Sequence, residues 1–331
     1  RVASSCRQAM KAAVCRHYGS PDGITIETWP TPVPGAHDVL IRVRASTVTS
    51  ADWRIRSQRM PYGFGIAGRL AFGMSSLRQP ILGSELAGDI VEIGAAVHNF
   101  AVGDAVVAFS GAKLGAHAEY CCLRADAVIV RKPPTLSYET AAALPFGGTT
   151  ALDFFRRGAL RTGDRVLING ASGTVGSAMV QLAVSAGAEV TAVCSGSNAD
   201  AMQQLGAAHV VDYTRVDFAE EGRSFDVIAD TVGNAPYSRV RHVLTSHGRL
   251  LLVLATLPEM LRAPWVNTTS RHRIVAGPAA ERVDDVRTLV EMAVDGRFTP
   301  LIDSRFTFDE IAAAHARVET GRKRGSVVIT D

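Results

Sequence analysis

The residues best spaced for chemistry are Asn169-Gly170-Ala171-Ser172-Gly173-Thr174-Val175-Gly176. Glycines three apart let a charged ligand come against main-chain N–H groups that side chains would shield. The turn follows the apolar run Val166-Leu167-Ile168 and opens a helical pattern from Val175 to Leu182. The first N–H groups of that helix and its positive end therefore face the turn. Strand, glycine turn and helix in this order make a pyrophosphate cradle for a dinucleotide. The expected contacts are Ala171, Ser172, Gly173, Thr174, Val175 and Gly176. About twenty residues on, where an acid would accept from the adenosine ribose, the chain reads Ser195-Gly196-Ser197-Asn198. Small hydroxyls can donate to a 2′-phosphate, whereas a carboxylate would repel it, so NADPH is expected over NADH. The alternative reading of Ser195 and Ser197 is that they cap the next helix.

These groups need elements to position them. A chain of 331 residues suits two domains on a prior of roughly 100–200 residues each. Hydrophobic content of 47% with 20% charged residues excludes a disordered chain. The net charge of +3, from 35 basic and 32 acidic residues, is too small and too evenly spread for a nucleic-acid surface. The longest apolar run, Leu250 to Leu257, is strand-sized and cannot span a bilayer. The five cysteines, Cys6, Cys15, Cys121, Cys122 and Cys194, have no C-x-x-C spacing, so they predict neither a zinc site nor a disulfide framework. They fit a reducing compartment, and a cytoplasmic location is expected. Residues 1–9 lack the apolar stretch of a secretory signal and read as an upstream extension.

Residues 10–136 read as β-rich. Lys11–Cys15, Ile24–Trp29, Val39–Ala45, Asp89–Gly94, Asp104–Phe109 and Ala118–Leu123 are short, largely alternating runs broken by Pro and Gly. The style changes near Ser137-Tyr138-Glu139-Thr140, a capped helix start. Across 137–281 strands are predicted at Arg165–Asn169, Glu189–Cys194, His209–Asp212, Val227–Asp230, Arg249–Leu254 and Arg273–Ala276. Helices are predicted at Val175–Ala186, Ala199–Leu205 and Tyr237–Leu244. Repeated β-α-β units imply an α/β fold with a doubly wound parallel sheet. Residues 282–331 add helices Val283–Val294 and Asp309–Glu319, the latter capped by Asp309, then a strand Ser326–Thr330 returning to the first domain. Pro61 to Leu82 is a long apolar segment without strand pattern, expected as a lid or binding segment.

The chain resembles the zinc-independent medium-chain dehydrogenase/reductases, in their quinone oxidoreductase branch. The resemblance is carried by Met10–Val14, Ala45–Trp53, Leu82-Gly83-Ser84-Glu85-Leu86-Ala87-Gly88, Phe100–Val106, Gly115–Tyr120, Ala141–Pro145, Leu205-Gly206-Ala207 and Asp230-Thr231-Val232-Gly233, in this order. It implies a GroES-like β-domain wrapped around an inserted Rossmann domain, and a homodimer formed by extending the Rossmann sheet. Zinc relatives hold their catalytic metal with a Cys and a His. The matching positions here are Thr49 and Ser84, poor zinc ligands, so no metal is expected. The resemblance also implies a nicotinamide contact at Thr150, a ribose contact at Val232 and Gly233, and Leu254 and Ala255 beside the carboxamide. It places Tyr213 by the adenosine phosphate, with Arg322 or Arg324 reaching that phosphate. At Asn198 many relatives carry Lys.

Without a metal, an electron-poor acceptor such as a quinone or an α,β-unsaturated carbonyl is favoured over an unactivated alcohol. The expected substrate is a small apolar electrophile. Thr49 and Tyr62 are the candidate catalytic residues: Thr49 to hold the nicotinamide end or substrate oxygen, Tyr62 to donate a proton or line the pocket. Asp52 is expected to order a helix start, Glu85 to pair with Arg54 or Arg56, and His117 to be structural. Two other readings stand beside this one. One is an enoyl-thioester reductase using Arg54, Arg56, Arg59 and Arg69 against carrier phosphates. The other is a non-enzymatic cofactor- or RNA-binding protein, against which the weak charge argues.

Overall fold

The computed structural model describes residues 9–220 and 222–331. Residues 1–8 of the expected extension lie outside them. Ala9 already belongs to β1 (Ala9–Cys15), which pairs antiparallel with β2 (Ile24–Pro30). β3 (Asp38–Val48) leads into α1 (Ser50–Ser57) and α2 (Gly65–Phe72). β4 (Glu85–Ile93), β5 (Ala105–Phe109), β6 (Tyr120–Arg124) and β7 (Val128–Arg131) follow. β3 is buried along most of its length, not half-buried as its alternation suggests. It pairs with β4 on one side and with β6 and the last strand of the chain on the other.

Next come α3 (Tyr138–Ala142), opened by Ser137, and α4 (Pro145–Arg157). β8 (Arg165–Asn169), α5 (Thr174–Ser185), β9 (Glu189–Cys194), α6 (Ala199–Gln204), β10 (His209–Asp212), β11 (Phe225–Asp230), α7 (Tyr237–Val240), β12 (Leu244–Leu252), α8 (Leu257–Thr269) and β13 (Arg273–Ala276) complete the α/β half. The sheet order β10-β9-β8-β11-β12-β13 is parallel throughout, the doubly wound arrangement. β8 shows why an unbroken apolar strand is needed. Val166 and Ile168 pack with α4 and α5, whereas Leu167 packs with Ile228 and Leu250 on the opposite side, all fully buried. Each such side chain contributes about 1.5–3 kcal/mol of burial.

α9 (Val283–Val294) packs against α4: a Cβ on Gly148 would lie 2.4 Å from Leu289. The chain rejoins the antiparallel sheet only at β14 (Ile302–Thr307), then runs through α10 (Ile311–Glu319) to β15 (Ser326–Thr330). The cap ahead of α10 is Thr307 with Glu310, not Asp309. The helix predicted at Tyr237–Leu244 stops at Val240, because Leu244 already belongs to β12.

The outer strand β13 is covered by side chains. Asn267 donates to Ile274 O (3.1 Å) and accepts from Ile274 N (2.6 Å), as a neighbouring strand would. Arg157 donates to Ala276 O and to Pro278 O. These main-chain groups of β13 and the residues after it are thus engaged within the chain. Among the described residues no helix is long and apolar enough to cross a membrane.

Candidate active site

The glycine turn links the C-terminal end of β8 to α5. Gly170 N and Ala171 N donate to Val193 O at the end of β9, and Gly173 N donates to Gly170 O. α5 has no side-chain cap at Gly173, so its first N–H groups are open to a ligand. A Cβ placed on Gly173 would meet nothing nearer than Gly170 O at 3.4 Å. The space over the turn is free, and only a glycine leaves it so.

The neighbouring strand ends converge on the turn. Asp230, fully buried at the end of β11, accepts from Asn169 Nδ2 (2.9 Å), Val232 N and Gly233 N (3.0 Å each) and Ala235 N (2.8 Å). One carboxylate thus fixes the loop holding Val232 and Gly233 against the residue that opens the turn. The sequence places Asp230 in the Asp230-Thr231-Val232-Gly233 motif but carries no signal of this role. A Cβ on Gly233 would lie 3.2 Å from Leu254, so the β11 and β12 loops adjoin; Ala255 beside Leu254 is buried. Thr150 lies on α4, its hydroxyl donating to Phe146 O (2.7 Å). A Cβ on Gly147 of the same helix would lie 2.7 Å from Thr174 O.

At the end of β9, Ser195 and Ser197 hydrogen-bond to each other (3.1 Å), and Asn198 donates to Ser195 (3.0 Å). Neither serine caps a helix through its side chain, so the capping alternative falls. An acid does stand here, brought from the adjacent strand. Asp212 of β10 lies against Gly196, whose Cβ would be 2.5 Å from its carboxylate. Thr214 binds that carboxylate through hydroxyl (2.7 Å) and N–H (3.0 Å), Arg215 stands 3.6 Å away, and the Thr214 bonds hold its pKa below the usual value. Tyr213 is exposed, with its N–H on Cys194 O.

The other wall comes from the antiparallel domain. Thr49 caps α1: its hydroxyl donates to Asp52 (2.6 Å) and accepts from Asp52 N (3.2 Å). Asp52 also accepts from Thr49 N (2.8 Å) and Gly83 N (2.9 Å), tying the helix start to the loop ahead of β4. The Thr49 proton is thereby committed. The Ser84 hydroxyl is buried without a hydrogen-bond partner among the described residues. Thr49 and Ser84 offer hydroxyls, and among the described residues no three His, Cys, Asp or Glu side chains are grouped to hold a metal; this donor set does not fit a zinc ion. His117 bonds Thr47 O (2.9 Å) and stacks edge-on against His315 at 5.3 Å.

Glu85 does not pair with Arg54 or Arg56. Arg56 is fully buried and bonds Glu319 (2.7 Å) and Gly19 O; Arg54 donates to Arg59 O (3.0 Å). Glu85 instead accepts from Thr47 Oγ1 and from Phe146 N (2.6 Å). Burial pushes its pKa up to about 8, with nearby Asp52 adding to the shift and Lys323 opposing it. A carboxyl raised in the fold favours the folded state most fully below its unfolded value of 4.5, and that contribution drains away as pH rises through about 8. The expected result is that the melting temperature of the parent falls, relative to Glu85→Gln, between pH 5 and 8. Parallel pH profiles for the two proteins in thermal unfolding would refute it.

Tyr62 is 77% exposed, so its ring does not line an enclosed pocket. Its carbonyl accepts from Leu257 N (2.9 Å), and Gly63 packs on Leu257, carrying the 61–82 segment across to α8. That segment contains α2, whose Ile66 and Leu70 are exposed. Arg322 and Arg324 are exposed, and no hydrogen bond from either side chain is formed among the described residues. The residue between them reaches the turn: Lys323 Nζ donates to Thr174 Oγ1 and to Gly325 O (2.7 Å). Sequence reasoning passed over it because the three basic residues read as one surface cluster.

A family model described as zinc-binding dehydrogenase matches residues 205–329, and one described as alcohol dehydrogenase GroES-like domain matches residues 35–134. A chloroplastic quinone oxidoreductase of Triphysaria versicolor is 28% identical over 94% of this chain and 95% of its own. The 2-methylene-furan-3-one reductase of Solanum lycopersicum is 29% identical, over 97% of this chain and 79% of its own. A mitochondrial NAD(P)H oxidoreductase of Homo sapiens is 29% identical, over 88% and 81%. The quinone oxidoreductase structure from Coxiella burnetii superimposes with a TM-score of 0.87 at 27% identity, covering 98% of this chain and 100% of that one.

Proposed function

We propose that the chain is a medium-chain dehydrogenase/reductase of the quinone oxidoreductase-like branch, and that it reduces a quinone or an α,β-unsaturated carbonyl with NADPH and without a metal. The observation that carries this reading is the open cradle over Gly173 at the uncapped start of α5. When bound, the nicotinamide cofactor supplies the hydride.

The open N–H groups of α5 take the pyrophosphate, Val232 and Gly233 meet the nicotinamide-side ribose, and Thr150, Leu254 and Ala255 set the ring's position. Ser195, Ser197 and Asn198 take the 2′-phosphate with Arg215, while Asp212 keeps its carboxylate on Thr214. The support for a metal-free reaction is the hydroxyl pair Thr49 and Ser84. With no Lewis acid to polarise a carbonyl, the site works on acceptors already poor in electrons, by placement and exclusion of water. Thr49 has no proton to release while Asp52 holds it, so proton delivery falls to water. The segment around Tyr62, anchored on Leu257, shapes the entrance.

The test follows NADPH oxidation with quinones, enones, alkenals and enoyl thioesters, beside binding titrations of NADPH and NADH. Turnover of quinones or enones is expected. NADPH binding without turnover of any acceptor would remove the enzymatic reading, and enoyl thioesters as the sole substrates would replace it with the thioester class. Tighter binding of NADH than NADPH would overturn the cofactor assignment.

A further inference from the structure

Lys323 is placed against electrostatic expectation. It reaches the first turn of α5, the positive end of that helix, where a cation is disfavoured. Two of its three N–H donors go to neutral oxygens, Thr174 Oγ1 and Gly325 O. Thr174 Oγ1 in turn donates to Gly325 O (2.8 Å), and Gly325 N donates to Ser172 O (2.8 Å). The ammonium is therefore held in a fixed position over the glycine turn by the segment that leads into β15.

Lys323 forms no ion pair among the described residues. Of the two acids that act on it from a distance, Asp303 is taken by Arg317 through two bonds (2.7 and 2.8 Å) and by Arg324 N. The other, Glu85, is held by Thr47 and Phe146 N, and with its pKa near 8 it is largely uncharged at neutral pH. Arg317 adds a further positive charge. A cation whose pKa burial lowers only to about 8, anchored by neutral groups at the positive end of a helix beside the glycine turn, has the surroundings of a site prepared for an anion.

We propose that Lys323 clamps the pyrophosphate bridge of the bound dinucleotide from above the glycine turn, so that the C-terminal segment supplies one wall of the cofactor site. This rests on the proposed function, since the anion in question is the cofactor's own. Lys323, rather than Arg322 or Arg324, is then the cofactor-binding residue of the C-terminal loop.

The test measures binding of NADPH to the full chain and to Lys323→Met and Lys323→Arg, with adenosine 2′-monophosphate, which lacks the bridge, as a competing fragment. The expected result is at least a tenfold loss of NADPH affinity in Lys323→Met, with fragment affinity within twofold of the parent. Affinity should recover in Lys323→Arg, and the salt dependence of NADPH binding should be shallower in Lys323→Met. NADPH affinity within twofold of the parent in Lys323→Met, or an equal loss for the fragment, would overturn the proposal. A parent chain that binds neither NADPH nor NADH would instead sink the proposed function, and this inference with it.

Discussion

Gly173→Asp is expected to weaken NADPH binding by at least about 100-fold, or about 2.7 kcal/mol, while the melting temperature stays within about 2 °C of the parent. Gly173 has ordinary extended torsions as the N-cap of α5 (φ −74°, ψ 174°), so the backbone tolerates any residue there. A Cβ at that position would lie 3.4 Å from Gly170 O, its nearest contact beyond the adjoining residues. The fold does not need the glycine; the ligand does, because a side chain and a negative charge would occupy the pyrophosphate's place. Gly176 gives the opposite result. Its Cβ would fall 2.1 Å from Gly170 O, which is backbone and cannot step aside. Gly176→Ala should cost about 3 kcal/mol of stability. A titration of the Gly173 variant with parental affinity would remove the cradle from the cofactor site.

Asp230→Ala is expected to be the most damaging single substitution near the site. The carboxylate satisfies four donors. Val232 and Gly233 are exposed and can turn to water, but Ala235 and Asn169 are buried. Ala235 N loses its partner and Asn169 Nδ2 keeps only Asn234, so at about 1–3 kcal/mol for each lost bond the expected loss is about 2–6 kcal/mol. Urea denaturation reads this directly as a lower midpoint with an unchanged slope. Asp230→Asn should lie between, since one oxygen still accepts while the new amide faces N–H groups. A loss below about 1 kcal/mol for the alanine variant would mean that the loop is held by other means.

The parallel half was legible in the sequence because its strands are short apolar runs bounded by Gly, Asp and Asn. Arg165–Asn169, Glu189–Cys194, His209–Asp212 and Arg273–Ala276 stand at their expected bounds, as does α9. α8 was hidden by Pro258 and Pro264, which read as breaks. Yet the capping box of Thr256 and Glu259 starts the helix with Pro258 in its first turn, and the helix continues past Pro264. α2 was hidden because its apolar residues are largely exposed and show no buried periodicity. β14 carries polar residues at an edge and gave no strand signal.

In the site, what the chain keeps local could be read and what it assembles across strands could not. The turn and its helix are one continuous segment. Asp212 reaches Gly196 only because β10 lies beside β9, a neighbour relation set by the sheet. Lys323 differs from its flanking arginines in its contacts, being half-buried on Thr174 while both arginines are exposed. Thr49 stands out in the sequence for its hydroxyl, but the capping box with Asp52 engages it.

The contact between Gly325 and the glycine turn also bears on how the protein is made. The turn and α5 emerge from the ribosome well before Gly325 and β15. β3, made earlier still, waits for the same strand to complete its pairing. Contacts this distant in sequence form late and slowly. Until β15 is made, the chain therefore carries an open strand edge in one sheet and an unstrapped cradle beside the other, and arrival of that strand closes both in one step.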